Sequence, residues 1–441
     1  MPTPPPNSGQ RLLILPETGL ALPWLRAAAT GEPETAILCP ETDADAVRTL
    51  LPGPAVHCFS GGNFVAARPD IGHWRRWFRE AAPNETLLVR NMDNAWGYEA
   101  YETALRLCSV LRFDILTRDG REPRELPPLP APDSVRSLLL KACGGIGNLV
   151  LATPLLRAGL RAGWKAAFCP VNDGNGQGAG ALFKDAELDG PTILTPDEAR
   201  SFRADLYLNI EARSLLAPED CFHSPYRMGE TGHEPTWAAR FFENVTGHSA
   251  DPAETFVGGL HREIPERLRG RVVVCPGSKP GWDSKRWPHF DALLRRLERP
   301  VVLCRPADLD AYRKLPFLTP ITAPNAEFVT DLDLPGMAAL LRAARAVVAN
   351  DCGPAHVAAA TGAPTLVLFG PSSLVKNRHE RPNVKILTKN LSCQPCQGAA
   401  AGPGRLGPGR YSCTDGFRCL ADLTPDRVLF ELATMYDGDF A

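Results

Sequence analysis

Short apolar runs alternate with helix-compatible segments along almost the whole chain, and no other feature limits the fold as strongly. In the first block the runs at Arg11–Leu15, Ala36–Cys39, Val56–Phe59, Thr86–Arg90 and Phe113–Thr117 read as strands. Helical segments at Ala44–Leu51 and Tyr98–Leu111 lie between them. Continuous apolar runs suit strands covered on both faces, and strand–helix alternation is the pattern of parallel sheets. The same rhythm resumes with a strand at Ser137–Ala142, a loop Cys143–Gly147, a helix Asn148–Ala162 and a strand Ala166–Pro170. After a Gly-rich, weakly periodic stretch, it returns at Val272–Pro276, Val301–Arg305, Ala346–Asn350 and Thr365–Phe369, with helices at His289–Arg296 and Leu334–Ala344. The fold class is therefore α/β. The segment REPRELPPLPAPDS, 121–134, reads as a linker stiffened by proline. The last helix starts at the Thr424-Pro425 pair, an N-cap followed by a first-turn proline.

A chain of 441 residues with 44% hydrophobic and 22% charged residues can bury two or three cores. Its 48 Lys+Arg against 50 Asp+Glu argue against a general nucleic-acid binder. Residues 352–375 carry no formal charge, yet Pro354, Pro364 and Pro371 interrupt them, so they parse as loop, short helix and strand rather than a membrane span. The opening MPTPPPNSGQRLLILPETGLALPWL lacks a basic leader region. The expectation is a soluble, cytoplasmic protein with at most peripheral membrane contact.

Three turns carry groups suited to chemistry. The first is Lys141–Trp164, where a strand ends, glycines turn the chain and a helix begins, so that backbone N–H groups can face an anion. Gly145 and Gly147 fit the start of a dinucleotide fingerprint, but Val150 stands where its third glycine belongs. An oxidoreductase is thus the weaker alternative, as is a plain structural turn. The second turn, 275–297, clusters Ser278, Lys279, Lys285 and Arg286 beyond a strand end, a set suited to a diphosphate or merely to a solvated basic loop. The third, 347–373, sets Asp351, Cys352, Gly353 and His356 at a helix start. There Asp351 reads equally as a helix N-cap, and His356 as a core histidine.

These segments resemble glycosyltransferase family 9, the family of ADP-heptose heptosyltransferases. The residues that carry the resemblance are Gly147-Asn148-Leu149-Val150-Leu151-Ala152-Thr153-Pro154, then Pro276-Gly277-Ser278 with Lys285-Arg286-Trp287-Pro288, then Asp351-Cys352-Gly353-Pro354-Ala355-His356. The resemblance covers roughly 135–435. It implies a GT-B architecture, with two Rossmann-like domains facing a cleft: 133–262 on the acceptor side and 263–441 holding the nucleotide-sugar, with 1–132 as an extra N-terminal α/β domain. It implies an inverting sugar transfer, heptose first among the sugars, from a nucleotide-sugar to a cell-envelope glycan, lipid-linked or protein acceptor, with no metal in catalysis. Lys285, Asn148, Asp173 and Asp351 are the candidate catalytic residues. Gly145, Gly147, Ser278, Lys279, Arg286, Cys352, Gly353 and His356 are candidates for substrate binding.

Two departures from the family pattern bear on mechanism. Asn148 stands where the family carries an aspartate base, and a neutral amide cannot accept that proton. Asp173 is the candidate substitute, and a catalytically weak scaffold subunit is the alternative reading. Cys352 replaces a hydroxyl residue and is a poorer hydrogen-bond donor.

Cys393, Cys396, Cys413 and Cys419 form a CxxC followed by two further cysteines, a spacing open to structural zinc or iron, to disulfides or to free thiols. A branch of the resembled family holds iron with cysteines. The triplet Asp331-Leu332-Asp333 reads as a helix cap at Asp333 rather than as a metal-holding DxD.

Overall fold

The computed structural model describes residues 10–15, 35–40, 44–50, 54–59, 71–89, 98–117, 119–172, 178–184, 190–210, 221–223, 233–396, 413 and 415–435. The chain divides into two compact units. One comprises Met1–Lys141, Arg200–Glu230 and Trp237–Ala250; the other comprises Ala142–Ala199, Thr231–Thr236 and Asp251–Ala441.

In the first unit, β1 (Arg11–Ile14), β2 (Thr35–Pro40), β3 (Ala55–Phe59), β4 (Glu85–Val89), β5 (Arg112–Thr117) and β6 (Gly120–Glu125) form one sheet ordered β3-β2-β1-β4-β5-β6. The first five run parallel. Leu12, Leu13, Ile14, Ile37, Leu38, Leu87 and Leu88 are buried, as the apolar runs require. The helix Ile71–Ala81 buries Ile71, Trp74, Trp77, Phe78 and Ala81, a single apolar stripe at helical spacing. The expected proline linker is corrected in its first part. Residues 120–125 are strand β6, antiparallel to β5 from Thr117↔Gly120 to Arg112↔Glu125. Pro123 is tolerated there because β6 is the sheet edge, where a missing N–H breaks no inner ladder.

β7 (Ser137–Gly144) runs from the first unit into the second. β8 (Lys165–Asn172) and β9 (Thr192–Ile193) pair in parallel in the second unit. β10 (Leu206–Ile210) and β11 (Phe222–His223) do so in the first.

The second unit also holds an all-parallel sheet of β12 (Val272–Cys275), β13 (Val301–Leu303), β14 (Glu327–Val329), β15 (Ala346–Asn350), β16 (Thr365–Phe369) and β17 (Val384–Thr388). Its order is β14-β13-β12-β15-β16-β17. Val272, Val274, Trp287, Phe290, Tyr312, Leu366, Leu368, Leu420 and Leu432 fill its core. Chain direction across the sheet reverses between β12 and β15. A crevice opens at the carboxyl ends of such a strand pair because the two following loops leave in opposite directions. Those loops are the second and third turns singled out above.

The uncharged run 352–375 resolves into the helix Gly353–Thr361 and strand β16, as its prolines require. Asp333 caps the helix Leu334–Arg342, its carboxylate accepting from the Gly336 N–H at 2.9 Å, and it also pairs with Arg262. Thr424 stands before the helix Pro425–Met435, and its hydroxyl accepts from the Arg427 N–H at 3.3 Å. Among the described residues no helix is long and apolar enough to cross a membrane.

Candidate functional site

The first turn is built by β7 and the helix Ile146–Arg161, which begins two residues earlier than its sequence pattern suggests. Gly144 adopts φ +135°, a conformation closed to most side chains, and a Cβ there would lie 2.5 Å from the Asn148 amide nitrogen. Gly147 has a different constraint. A Cβ on it would sit 2.5 Å from His356 Cδ2 and 2.8 Å from His356 Nε2. The glycine is what lets the imidazole lie against the helix start. Gly353 likewise faces Ile146, with 3.4 Å from its would-be Cβ to the Ile146 Cβ. The first and third turns therefore touch.

The second turn is braced from below. Asp308 is buried and accepts from Arg286 Nη2 at 2.9 Å and Arg305 Nε at 3.2 Å. Burial pushes its carboxyl upward, but Arg305 and Arg286 outweigh that and hold it below the usual carboxylate range. Arg286 is itself buried, donating also to Asp283 at 2.8 Å and to the Pro276 carbonyl at 3.3 Å. Asn350, at the end of β15, donates to the Pro276 carbonyl at 2.8 Å and accepts from the Trp287 N–H at 3.0 Å. This side-chain amide ties the second turn to the third. The Ser278 hydroxyl donates to the Trp282 carbonyl at 2.8 Å, and Lys279 is exposed.

Lys285 and Asp351 meet at 2.7 Å, from opposite sides of the β12/β15 reversal. The Asp351 side chain is 3% exposed and that of Lys285 13%. The ammonium also stands 4.9 Å from the Trp282 ring centroid. Burial would raise the Asp351 carboxyl, yet Lys285 and His356 hold it well below the ordinary range, so it is an anion. The helix-cap reading of Asp351 is corrected: Cys352 occupies the N-cap position of Gly353–Thr361, and the Asp351 carboxylate faces Lys285 instead. Burial pushes the Cys352 thiol up to about 12, leaving it protonated and unreactive at neutral pH. His356 is buried, with Nε2 at 3.7 Å from Asp351 Oδ1 and Nδ1 at 2.7 Å from His379 Nε2.

Gly145, Gly147, Asn148, Lys285, Asp351, Cys352, Gly353 and His356 thus gather around the contact of two helix starts. Asp173 lies outside the described residues. His379, Asn350 and Asp308 carry the site, yet no motif marked them. His379 sits in the irregular RHERP stretch, 23 residues from its partner, where no periodicity signals a contact.

The four late cysteines line one small pocket with Pro371, Leu391, Phe417 and Arg418. The Cys396 thiol donates to the Cys393 carbonyl at 2.9 Å, and Cys413 Sγ accepts from the Phe417 N–H at 3.2 Å. Burial, then the other three sulfurs, pushes the Cys419 thiol up to about 12. The cysteines among the described residues are free thiols. Among the described residues no three His, Cys, Asp or Glu side chains stand close enough to hold a metal ion.

Comparison with known proteins places this geometry in context. Residues 245–402 match glycosyltransferase family 9 (heptosyltransferase). That stretch includes the second and third turns, while the first lies before it. The chain is 36% identical over 119 residues to lipopolysaccharide heptosyltransferase 1 of Pseudomonas aeruginosa, 26% of this chain and 33% of that protein. It is 28% identical over 181 residues to lipopolysaccharide heptosyltransferase 2 of Escherichia coli, 37% of this chain and 46% of that protein. The chain thus spans less than half the length of these curated relatives. Among solved structures, the E. coli heptosyltransferase WaaC with ADP aligns at 16% identity over 68% of this chain and 100% of that one, TM-score 0.46. The iron-containing dodecameric glycosyltransferase TibC of E. coli aligns at 16% identity over 71% and 78%, TM-score 0.48.

Proposed function

Taking residues 245–402 as a glycosyltransferase family 9 segment, we propose that this protein is an inverting glycosyltransferase. It moves a sugar, heptose first among the candidates, from an ADP-heptose-like donor to a hydroxyl of a cell-envelope glycan, lipid-linked or protein acceptor. The acceptor oxygen attacks the anomeric carbon as the bond to the nucleoside diphosphate breaks. The hydroxyl proton passes to a base, and the diphosphate leaves with both bonding electrons.

The observation that carries this reading is the meeting of Lys285, Asp351 and His356 at the sheet reversal, beside the Gly147 turn. A leaving diphosphate needs positive charge and N–H donors where its own negative charge grows. Lys285 supplies the charge, with Asp351 fixing its position until the anion arrives. The Gly353 helix start, the His356 ring and the Ser278 and Lys279 turn supply further donors. Arg286 acts through the loop that it braces against Asp308. Asn148 orients the acceptor by hydrogen bonding, and Asp173 takes the proton.

In the corresponding architecture, GT-B, 133–262 serves the acceptor and 263–441 the donor, with 1–132 an added α/β domain. The protein works in the cytoplasm with at most peripheral membrane contact. A structural zinc or iron at the four late cysteines requires their thiols to draw closer than they stand in the described residues, and it would tie the segment after β17 to the helix Arg418–Ala421; thiolate ligation leaves no open position for chemistry. Elemental analysis of the purified protein without stoichiometric metal removes that assignment.

Asn148 also favours a second reading, a donor-binding subunit that does not turn over. Release of ADP from ADP-heptose on addition of candidate acceptors separates the two. Turnover that Lys285→Ala abolishes and Asp173→Asn suppresses supports the enzyme. Donor binding without ADP release in every acceptor mixture supports the subunit, and an undiminished Lys285→Ala variant refutes the role given to Lys285.

A further inference from the structure

The geometry points to His379 as a positioning residue that sets the tautomer of His356, so that His356 presents its N–H from Nε2 toward Asp351 and the Gly147 turn. His379 Nε2 and His356 Nδ1 are 2.7 Å apart, and the two rings are tilted by 54° with centroids 4.6 Å apart. One hydrogen lies between these nitrogens, so one ring donates and the other accepts.

Two arrangements satisfy that contact, and they differ at the far nitrogen of His379. This atom, Nδ1, is buried and has no hydrogen-bond partner among the described residues. If His356 donated from Nδ1, a neutral His379 would carry its own hydrogen on Nδ1, as a buried N–H with nothing to receive it. If His379 donates from Nε2, its Nδ1 is a bare lone pair instead. Orphaned buried donors are the rarer and costlier of the two. A charged His379 would strand the same Nδ1–H and is opposed first by burial. Asp351 pulls the other way, while Arg381 and His233 add to the opposition. His379 is therefore neutral and donates, His356 Nδ1 accepts, and the His356 hydrogen stands on Nε2.

That nitrogen lies 3.7 Å from Asp351 Oδ1, and it is the edge of the ring packed against Gly147. The charged surroundings fit a donor there. Asp351 is an anion paired with Lys285.

The consequence rests on the proposed function and deepens it. At the diphosphate site His356 offers its Nε2 N–H to an anionic oxygen, and Nε2 is not available as the base for the acceptor hydroxyl. The proton must go elsewhere, which keeps the burden on a carboxylate.

The test is nitrogen-15 NMR of the full-length, histidine-labelled protein without substrate, the His356 signals being assigned through their loss in His356→Gln. The wild type is expected to show His356 with a protonated Nε2 and a bare Nδ1. His379→Leu removes the donor and should give mixed tautomers, with turnover reduced about ten-fold, the effect of one lost buried hydrogen bond. His379→Gln places an amide N–H near the lost one and should restore both the tautomer and most of the turnover. A wild-type His356 protonated on Nδ1, or a tautomer unchanged in folded His379→Leu, overturns the inference. The spectra need no sugar donor, so the correct tautomer in a protein that transfers nothing would sink the proposed function and leave His379 in its role.

Discussion

Gly147→Ala tests whether the first and third turns truly share one space. The residue lies in the first turn of the helix Ile146–Arg161, where alanine is ordinarily favoured over glycine by about 1 kcal/mol. On helix propensity alone the variant should be more stable. The added Cβ would stand 2.5 Å from His356 Cδ2, about 0.9 Å inside the 3.4 Å at which ordinary contact begins. The ring cannot simply recoil, because Nδ1 is tied to His379 and Nε2 faces Asp351. Overpacking of this kind costs about 1–3 kcal/mol, and loosening the imidazole pair about 1 kcal/mol more. The clash outweighs the propensity, for a net loss of about 1–3 kcal/mol. Thermal melting should fall by several degrees, and donor turnover should fall with it because His356 is displaced. Gly145→Ala is the comparison two residues away: its Cβ would have no neighbour within 4 Å, so its stability should fall only by about 0.5–1 kcal/mol, the amount by which alanine caps a helix less well than glycine. A Gly147→Ala protein that melts at or above the wild type and turns over normally would refute the contact.

Two further outcomes are expected. The Asp351 carboxyl is depressed in the folded chain, so its contribution to stability is present above the unfolded value of about 3.9 and is lost as pH falls below it. Denaturant titrations from pH 6 to pH 3 should show wild type losing up to about 1.4 kcal/mol per pH unit more than Asp351→Asn near the acid end, and equal slopes would remove the ion pair from the account. Asp333→Ala deletes a cap from Leu334–Arg342 and should cost about 1 kcal/mol in the same assay without touching donor affinity; a loss of activity at unchanged stability would instead revive the DxD reading.

Much of the protein is legible in its sequence. The apolar runs at 36–39, 346–350 and 365–369 lie inside β2, β15 and β16, because a strand covered on both faces needs no partner to reveal it. The three turns could also be read, since glycine, proline and clustered polar groups after a strand are local chemistry. Ends were less legible: the helix expected over His289–Arg296 is only Phe290–Leu294, and β6 lay concealed in a proline-rich stretch that becomes a strand only because an edge was free beside β5.

Residue chemistry and local periodicity determined an α/β chain with three candidate turns, for these depend on neighbours a few positions away. Which atoms meet was decided by the tertiary structure alone. The sheet reversal between β12 and β15 brings Lys285 to Asp351 across 66 residues, and the chain beyond β16 delivers His379 to His356. Such pairings cost chain entropy that only the burial of whole sheets and helices can offset, so no short stretch of sequence records them.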